Sequence, residues 1–127
     1  MYLAMNHKIR VKRIYDDIEE DDGTRLLVDR LWPRGIARER AHIDNWEKAI
    51  APSAELRQWY HAHTDDYTDF KARYHDELDH NPEVVPLLDD ITAALTNGNV
   101  TLLTASKLPD NNATALQLWV STKLHTT

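Results

Sequence analysis

Apolar and polar positions alternate from Lys8 to Tyr15, with Ile9, Val11, Arg13 and Tyr15 on one side and Lys8, Arg10, Lys12 and Ile14 on the other. A period of two predicts a strand with one wetter face. Arg25 to Leu31 is a second, more apolar run, and it breaks into Trp32-Pro33-Arg34-Gly35. Pro33 lacks the N–H that a ladder needs, and Gly35 permits a sharp turn. Val100 to Ala105 is almost wholly apolar or β-branched, as expected of a central strand covered on both faces. The connection between the first two strands is too short for a parallel crossover between adjacent strands, so these pair antiparallel or are not neighbours.

Helical spacing follows. Ile43, Trp46 and Ile50 recur at three- and four-residue steps, which predicts a short helix within Arg38 to Ile50. Ser53 stands as an N-cap, with Glu55 where the helix dipole favours an anion. In that helix Leu56, Trp59, Tyr60 and His63 share a face, while Arg57 and His61 share the adjoining one at i and i+4. Asp65 to Asp79 carries a stripe of Tyr67, Phe70, Tyr74, Glu77 and Leu78, with Arg73 and Glu77 spaced to pair. Glu83 to Thr96 turns Val84, Leu87, Leu88, Ile91 and Leu95 inward and stops at Asn97-Gly98. A last helix runs from Ala113 to Leu124, burying some of Leu116, Trp119, Val120 and Leu124. Strands alternating with helices in this way predict an α/β fold: a small single domain over residues 1–127, its sheet mixed or mostly parallel and flanked by four to five helices, with a loose lead at residues 1–7.

The chain has 127 residues, enough for one complete core. Its net charge of −6 repels a phosphate backbone, so no nucleic-acid partner is expected. With no cysteine, disulfides, thiolate nucleophiles and Cys-built zinc sites are excluded. No apolar run has signal-peptide or membrane-spanning length, and a cytoplasmic protein without a membrane partner is the expectation. Asp16 to Gly23 is strongly acidic; a solvated connection is favoured over a cation loop, which needs spaced ligands and a mid-loop glycine. His61 and His63 diverge on a helix, unlike an i, i+4 metal pair, and no other ligand spacing demands a metal. The cofactor is left unknown by the sequence, and metal dependence stays open, since Asp29 with a histidine could hold a divalent ion.

Two predicted strands end in polar loops, Asp29 to Gly35 and Ser106 to Asn112. Laid side by side and pointing the same way, they bring Asp29, Arg30, Arg34, Ser106, Lys107 and Asn112 to one cleft, with the second loop leading into a helix N-terminus able to hold an anion. Arginine offers a permanently charged planar fork for carboxylate or phosphate, and a desolvated strand-end aspartate can act as general base. The alternative is an Asp29 that pairs with Arg30 or Arg34 to tie down the turn, with Trp32 as a lid on the core.

Val28 to Gly35, Ala51-Pro52-Ser53 with Glu55-Leu56-Arg57, Phe70 with Arg73-Tyr74 and Glu77-Leu78, and Val100 to Leu103 followed by an Asn-rich loop together resemble the YeaO-like branch of the family called domain of unknown function 488. The resemblance covers nearly the whole chain after His7. It carries no reaction, but it implies that Asp29, Arg30, Trp32, Pro33, Arg34 and Gly35 belong to a family signature and that Arg57, Arg73 and Tyr74 fit its helical motifs. The family's histidine near the end of the Arg57 helix corresponds to His61 or His63. More distant relatives resemble this layout with cysteines after the last strand, where Thr104 and Asn111-Asn112 stand here; cysteine chemistry is therefore absent.

The expectation is a protein that binds a small anionic ligand, a nucleotide or a phosphorylated metabolite. Arg30, Trp32, Arg34, Arg57, Ser106, Lys107 and Asn112 would line the site, and Asp29 would be the acid or base if the protein is an enzyme. The alternative is a non-catalytic interaction or regulatory module anchored by exposed Trp32 and Trp59. Oligomeric state is left open by the sequence.

Overall fold

A computed structural model describes residues 7–125. The loose lead expected over residues 1–7 lies outside the described residues except for His7, whose ring hydrogen-bonds the Leu95 carbonyl. Four strands, β1 (Ile9–Arg13), β2 (Thr24–Leu27), β3 (Asn45–Trp46) and β4 (Val100–Thr104), form one sheet in the order β1-β4-β2-β3. Every pairing is parallel, with Ile9 and Thr24 both opposite Val100. The first two strands are thus not neighbours: β4 lies between them, and all five of its residues are buried. The helices are α1 (Arg38–Ala41), α2 (Ala54–Ala62), α3 (Tyr67–Asp79), α4 (Val84–Leu95) and α5 (Asn112–His125). Among the described residues, no helix is long and apolar enough to cross a membrane.

The alternation of the strands divides the core. Leu26, Val28, Val100 and Leu102 meet the apolar faces of α2 to α5, through residues such as Leu56, Phe70, Tyr74, Ile91 and Leu116. Leu27 and Leu103 face the other way, with Ile14 and Ala41, under a thinner cover of Trp32, Ile36, Ile43 and Trp46. Part of that second face is ionic. Because β1 and β2 run the same way, the acidic connection must return along the sheet, and it buries Asp22 completely. Lys12 reaches Asp22 at 2.8 Å and Glu19 at 3.1 Å, Arg25 bonds Asp22 from the next residue row, and Thr101 donates to the Asp22 carbonyl. The expected solvated connection is therefore corrected at its end: Asp22 is a structural counter-ion, because two strand cations on this face need one. Burial pushes its carboxyl up, but the hydrogen bonds from Lys12, the Glu19 N–H and Arg25 prevail and hold it below the ordinary aspartate value. Lys12 shows the mirror effect: burial lowers its value, and bonds to Asp22 and Glu19 raise it further.

Three other expectations change. β2 stops at Leu27 rather than Leu31. Val28 N still donates to Leu103 O at 3.0 Å, but the next rung is made by side chains, since Ala105 N donates to Asp29 Oδ2 and Asn112 Nδ2 to Val28 O. The helix expected within Arg38 to Ile50 is only four residues long. His42 leaves it with φ 50°, and the chain then pairs with β2 through Asp44 N to Arg25 O and Glu47 N to Leu27 O. The apolar spacing there reflects two burial sites, Ile43 and Trp46 on the thin face and Ile50 in the main core. Arg73 pairs with Asp69 rather than Glu77, whose carboxylate accepts from Ser53 N and Ser53 Oγ and so fastens α3 to the start of α2. Ser53 also caps α2 as expected, accepting from Leu56 N.

Candidate functional site

Parallel pairing brings the C-terminal ends of β1, β4 and β2 to one edge of the sheet, where open α/β sheets carry ligand crevices. A cleft of about 540 Å³ opens there. Asp29, Arg30, Trp32 and Arg34 enter it from the exit of β2, Ser106 and Lys107 from the exit of β4, Asn112 from the start of α5 and Arg57 from α2. All eight sequence-selected positions thus line one cavity. Tyr15, Pro52, Tyr60, His61, Phe70, Thr104, Leu108 and Asn111 join them. Two of these carried a usable signal: Tyr15 follows β1 just as Asp29 follows β2, and His61 stands one helical turn from Arg57. Phe70 and Tyr60 had the pattern of core residues and are buried; they form the cleft floor while serving the core.

Both carboxylate oxygens of Asp29 are bonded within the cleft. Its Oδ1 accepts from Thr104 Oγ1 at 2.8 Å and Asn112 Nδ2 at 3.0 Å, and its Oδ2 accepts from Ala105 N at 2.8 Å. Its carbonyl accepts from Trp46 Nε1 at 2.7 Å. The carboxylate thus ties the end of β2 to the end of β4 and to the first turn of α5. It makes no ion pair with Arg30 or Arg34 within the described residues. Arg30 instead directs Nε and one terminal nitrogen to the Pro52 carbonyl, at 3.2 and 3.1 Å, which fixes the β2 exit against the start of α2.

Asn111 caps the start of α5. Asn111 Oδ1 accepts from Thr114 N, Asn111 N donates to Thr114 Oγ1, and Asn111 Nδ2 donates to the Leu108 carbonyl. The side chains of Arg34, Arg57, Lys107 and His61 have no hydrogen-bond or ion-pair partner among the described residues. Arg34 is exposed and its turn is pinned by the Tyr15 hydroxyl, which donates to the Arg34 carbonyl at 2.8 Å; Gly35 makes the turn with φ 77°. Ser106 Oγ accepts from Leu108 N and keeps its own proton to donate.

Neither candidate tryptophan anchor stands free. Trp32 is half-buried, donates Nε1 to Ile36 O at 2.7 Å, packs edge-on to Trp46 and lies under the Arg38 guanidinium. Trp59 stacks on His63 and carries the Arg73 guanidinium at 4.2 Å. A cation site elsewhere is poorly served: Glu19, Asp21 and Asp22 bring carboxylate oxygens within 4.8 Å of one another, but Lys12 Nζ already bonds two of the three.

Comparison with known proteins places relatives beside this geometry. A family model described as the inactive DUF488-N3 subclade matches residues 8–127. The uncharacterized protein YeaO of Escherichia coli (strain K12) is 40% identical over 112 residues, covering 88% of this chain and 96% of that one. Uncharacterized proteins of Mycobacterium tuberculosis and Mycobacterium bovis are each 48% identical over 71 residues, 56% of this chain; the match spans 60% of those relatives' length. No solved structure matches the chain.

Proposed function

The chain belongs to the family described as the inactive DUF488-N3 subclade, and we propose that it binds a small anionic ligand, a nucleotide or a phosphorylated metabolite, in the cleft at the C-terminal edge of its sheet, without acid or base catalysis by Asp29. One observation carries this reading. In a chain of net charge −6, four fixed cations line one cleft beside a single carboxylate. Three neutral donors already engage both oxygens of that carboxylate and, among the described residues, none of the four cations pairs with it, so the cationic charge is left for a guest. Arg34, Arg57 and Lys107 make the charge contacts, and Ser106 adds a hydroxyl donor. Arg30, Trp32 and Asn112 shape the walls through their bonds to the chain. A cleft of about 540 Å³ has the size of a small-molecule site.

The non-catalytic part rests on Asp29. A general base must reach the proton it abstracts, and its lone pairs must be available to take it. Three donors within hydrogen-bond distance take three of the roughly four lone-pair sites of the Asp29 carboxylate, one of them a backbone N–H that cannot turn away. The family's description as inactive agrees with this. The test is a thermal-shift and calorimetric titration with inorganic pyrophosphate. Wild-type protein should be stabilised by about 2.7 kcal/mol at a hundredfold excess over Kd, and Arg34→Ala or Arg57→Ala should abolish most of that. A wild type that pyrophosphate does not stabilise refutes anion binding.

A further inference from the structure

The cleft is selective in what it leaves unspent. Most of its neutral hydrogen-bonding side chains are committed to the protein: Thr104 to Asp29, Asn112 to Val28 O and Asp29, Asn111 to Leu108 O and Thr114 N, and Tyr60 to the Asp110 carbonyl. Such side chains are the ones that bind sugar hydroxyls in pairs of donor and acceptor. The groups left over are mostly cationic or apolar, the Ser106 hydroxyl and the His61 ring being the exceptions. Leu31 is 56% exposed and Tyr15 43% exposed, although both line the cleft. The Arg13 guanidinium backs the Tyr15 ring at 4.9 Å, and the ring is anchored by its hydroxyl on the Arg34 carbonyl. A rigid aromatic wall therefore stands beside the very turn that presents Arg34.

Resting on the anion-binding reading above, we propose that the ligand of this cleft is an aromatic phosphomonoester: a phosphate held by Arg34, Arg57 and Lys107, with its ring against Tyr15. The phosphate is preferred to a carboxylate because three unpaired cations call for about two negative charges and three acceptor oxygens, which a phosphomonoester supplies. The ring is preferred to a sugar because a set of hydroxyls placed on these walls would exchange water partners for few, Ser106 and His61 being the neutral polar side chains left uncommitted among the described residues, whereas an aromatic group gains an offset or edge contact with Tyr15.

Calorimetric titration at fixed ionic strength with phenyl phosphate, glucose 6-phosphate, inorganic phosphate and benzoate tests this. Phenyl phosphate should bind roughly tenfold more tightly than the other three, the scale of one aromatic contact. Because the Tyr15 hydroxyl also holds the Arg34 turn, the readout is the ratio of phenyl phosphate to inorganic phosphate affinity within each variant: Tyr15→Phe should retain that ratio and Tyr15→Ala should bring it to about one. Equal or tighter binding of glucose 6-phosphate or benzoate overturns the aromatic phosphomonoester while leaving an anion site in place, as does a preference that survives Tyr15→Ala. Failure of all four anions to bind overturns the anion site as well.

Discussion

Asp29→Asn separates a structural carboxylate from a catalytic one. The wild-type side chain accepts on both oxygens: two donors at one, from Thr104 and Asn112, and the Ala105 N–H at the other. An amide of the same shape has one accepting edge and one donating edge, so one of the two sets must face a donor. Thr104 can rotate its hydroxyl, but Asn112 Nδ2 is also committed to Val28 O at 3.1 Å, and Ala105 N is fixed by the backbone. At least one hydrogen bond to a charged acceptor is lost, worth about 1.5–3 kcal/mol. Each kcal/mol in a domain of this size moves Tm by a few degrees, so the expected fall is roughly 5–15 °C. Urea unfolding followed by circular dichroism should show the midpoint reduced with an unchanged slope, the mark of lost stability without a change in the denatured state. Asp29→Ala should cost at least as much, because all three donors lose their acceptor. An Asp29→Asn variant within about 0.5 kcal/mol of wild type, the range of an inconsequential surface change, would refute the brace and return Asp29 to the list of free acids and bases.

Asp22 is held below its ordinary value in the fold, so its contribution is present above the unfolded carboxylate pKa and is lost as pH falls through the folded one; Asp22→Asn should flatten the acid limb of the stability curve below about pH 4. Lys12, raised in the fold, contributes below its unfolded value and loses that contribution at alkaline pH. Asp22→Ala leaves Lys12 and Arg25 without their buried counter-ion and should cost about 3–5 kcal/mol in urea unfolding. At Gly23, φ is 65° and an added Cβ would stand 1.9 Å from the Asn99 carbonyl oxygen, whereas at Gly35 nothing lies within 4 Å. Gly23→Ala should therefore destabilise by roughly 2–4 kcal/mol and Gly35→Ala by only about 1 kcal/mol, measured by the same unfolding titration. Pyrophosphate affinity should fall as the screening length shortens from roughly 30 Å at 0.01 M salt to 8 Å at 0.15 M, and Arg57→Ala should reduce that salt dependence.

The strand ends were legible because the chemistry there interrupts an otherwise regular pattern. A strand that passes from Leu26-Leu27-Val28 into Asp29 and Arg30 announces its exit, and β4 does the same at Ser106-Lys107. Parallel order then places both exits at one edge without further information. Local patterning could not supply the side-chain partners. Arg73 has Asp69 and Glu77 at equivalent helical spacing, and the choice falls to Asp69 because Ser53, twenty-four residues away from Glu77, claims that carboxylate. Likewise β3 is only two residues long and owes its existence to the unpaired edge of β2, so no period could reveal it. Asp22 looked like one acid among many in Asp16 to Gly23; only the return path across the sheet distinguishes it from its exposed neighbours.

Thr104 and Asn112 join these threads. The resemblance to the wider family places cysteines of more distant relatives after the last strand, where Thr104 and the Asn111-Asn112 pair stand in this chain. A thiol is a weak donor and a strong nucleophile once ionised, whereas a hydroxyl and a carboxamide are good donors and unreactive without activation. In this chain Thr104 and Asn112 point their donors at Asp29, and Asn111 turns inward to cap α5. At these positions the chain therefore carries no thiol, and their side chains bond the Asp29 carboxylate and the Thr114 N–H instead. Restoring Thr104→Cys alone would leave Asp29 bonded to Ala105 N and Asn112, so it should yield a cysteine of ordinary reactivity toward iodoacetamide; accelerated alkylation of that single thiol would show that Asp29 is free to accept its proton.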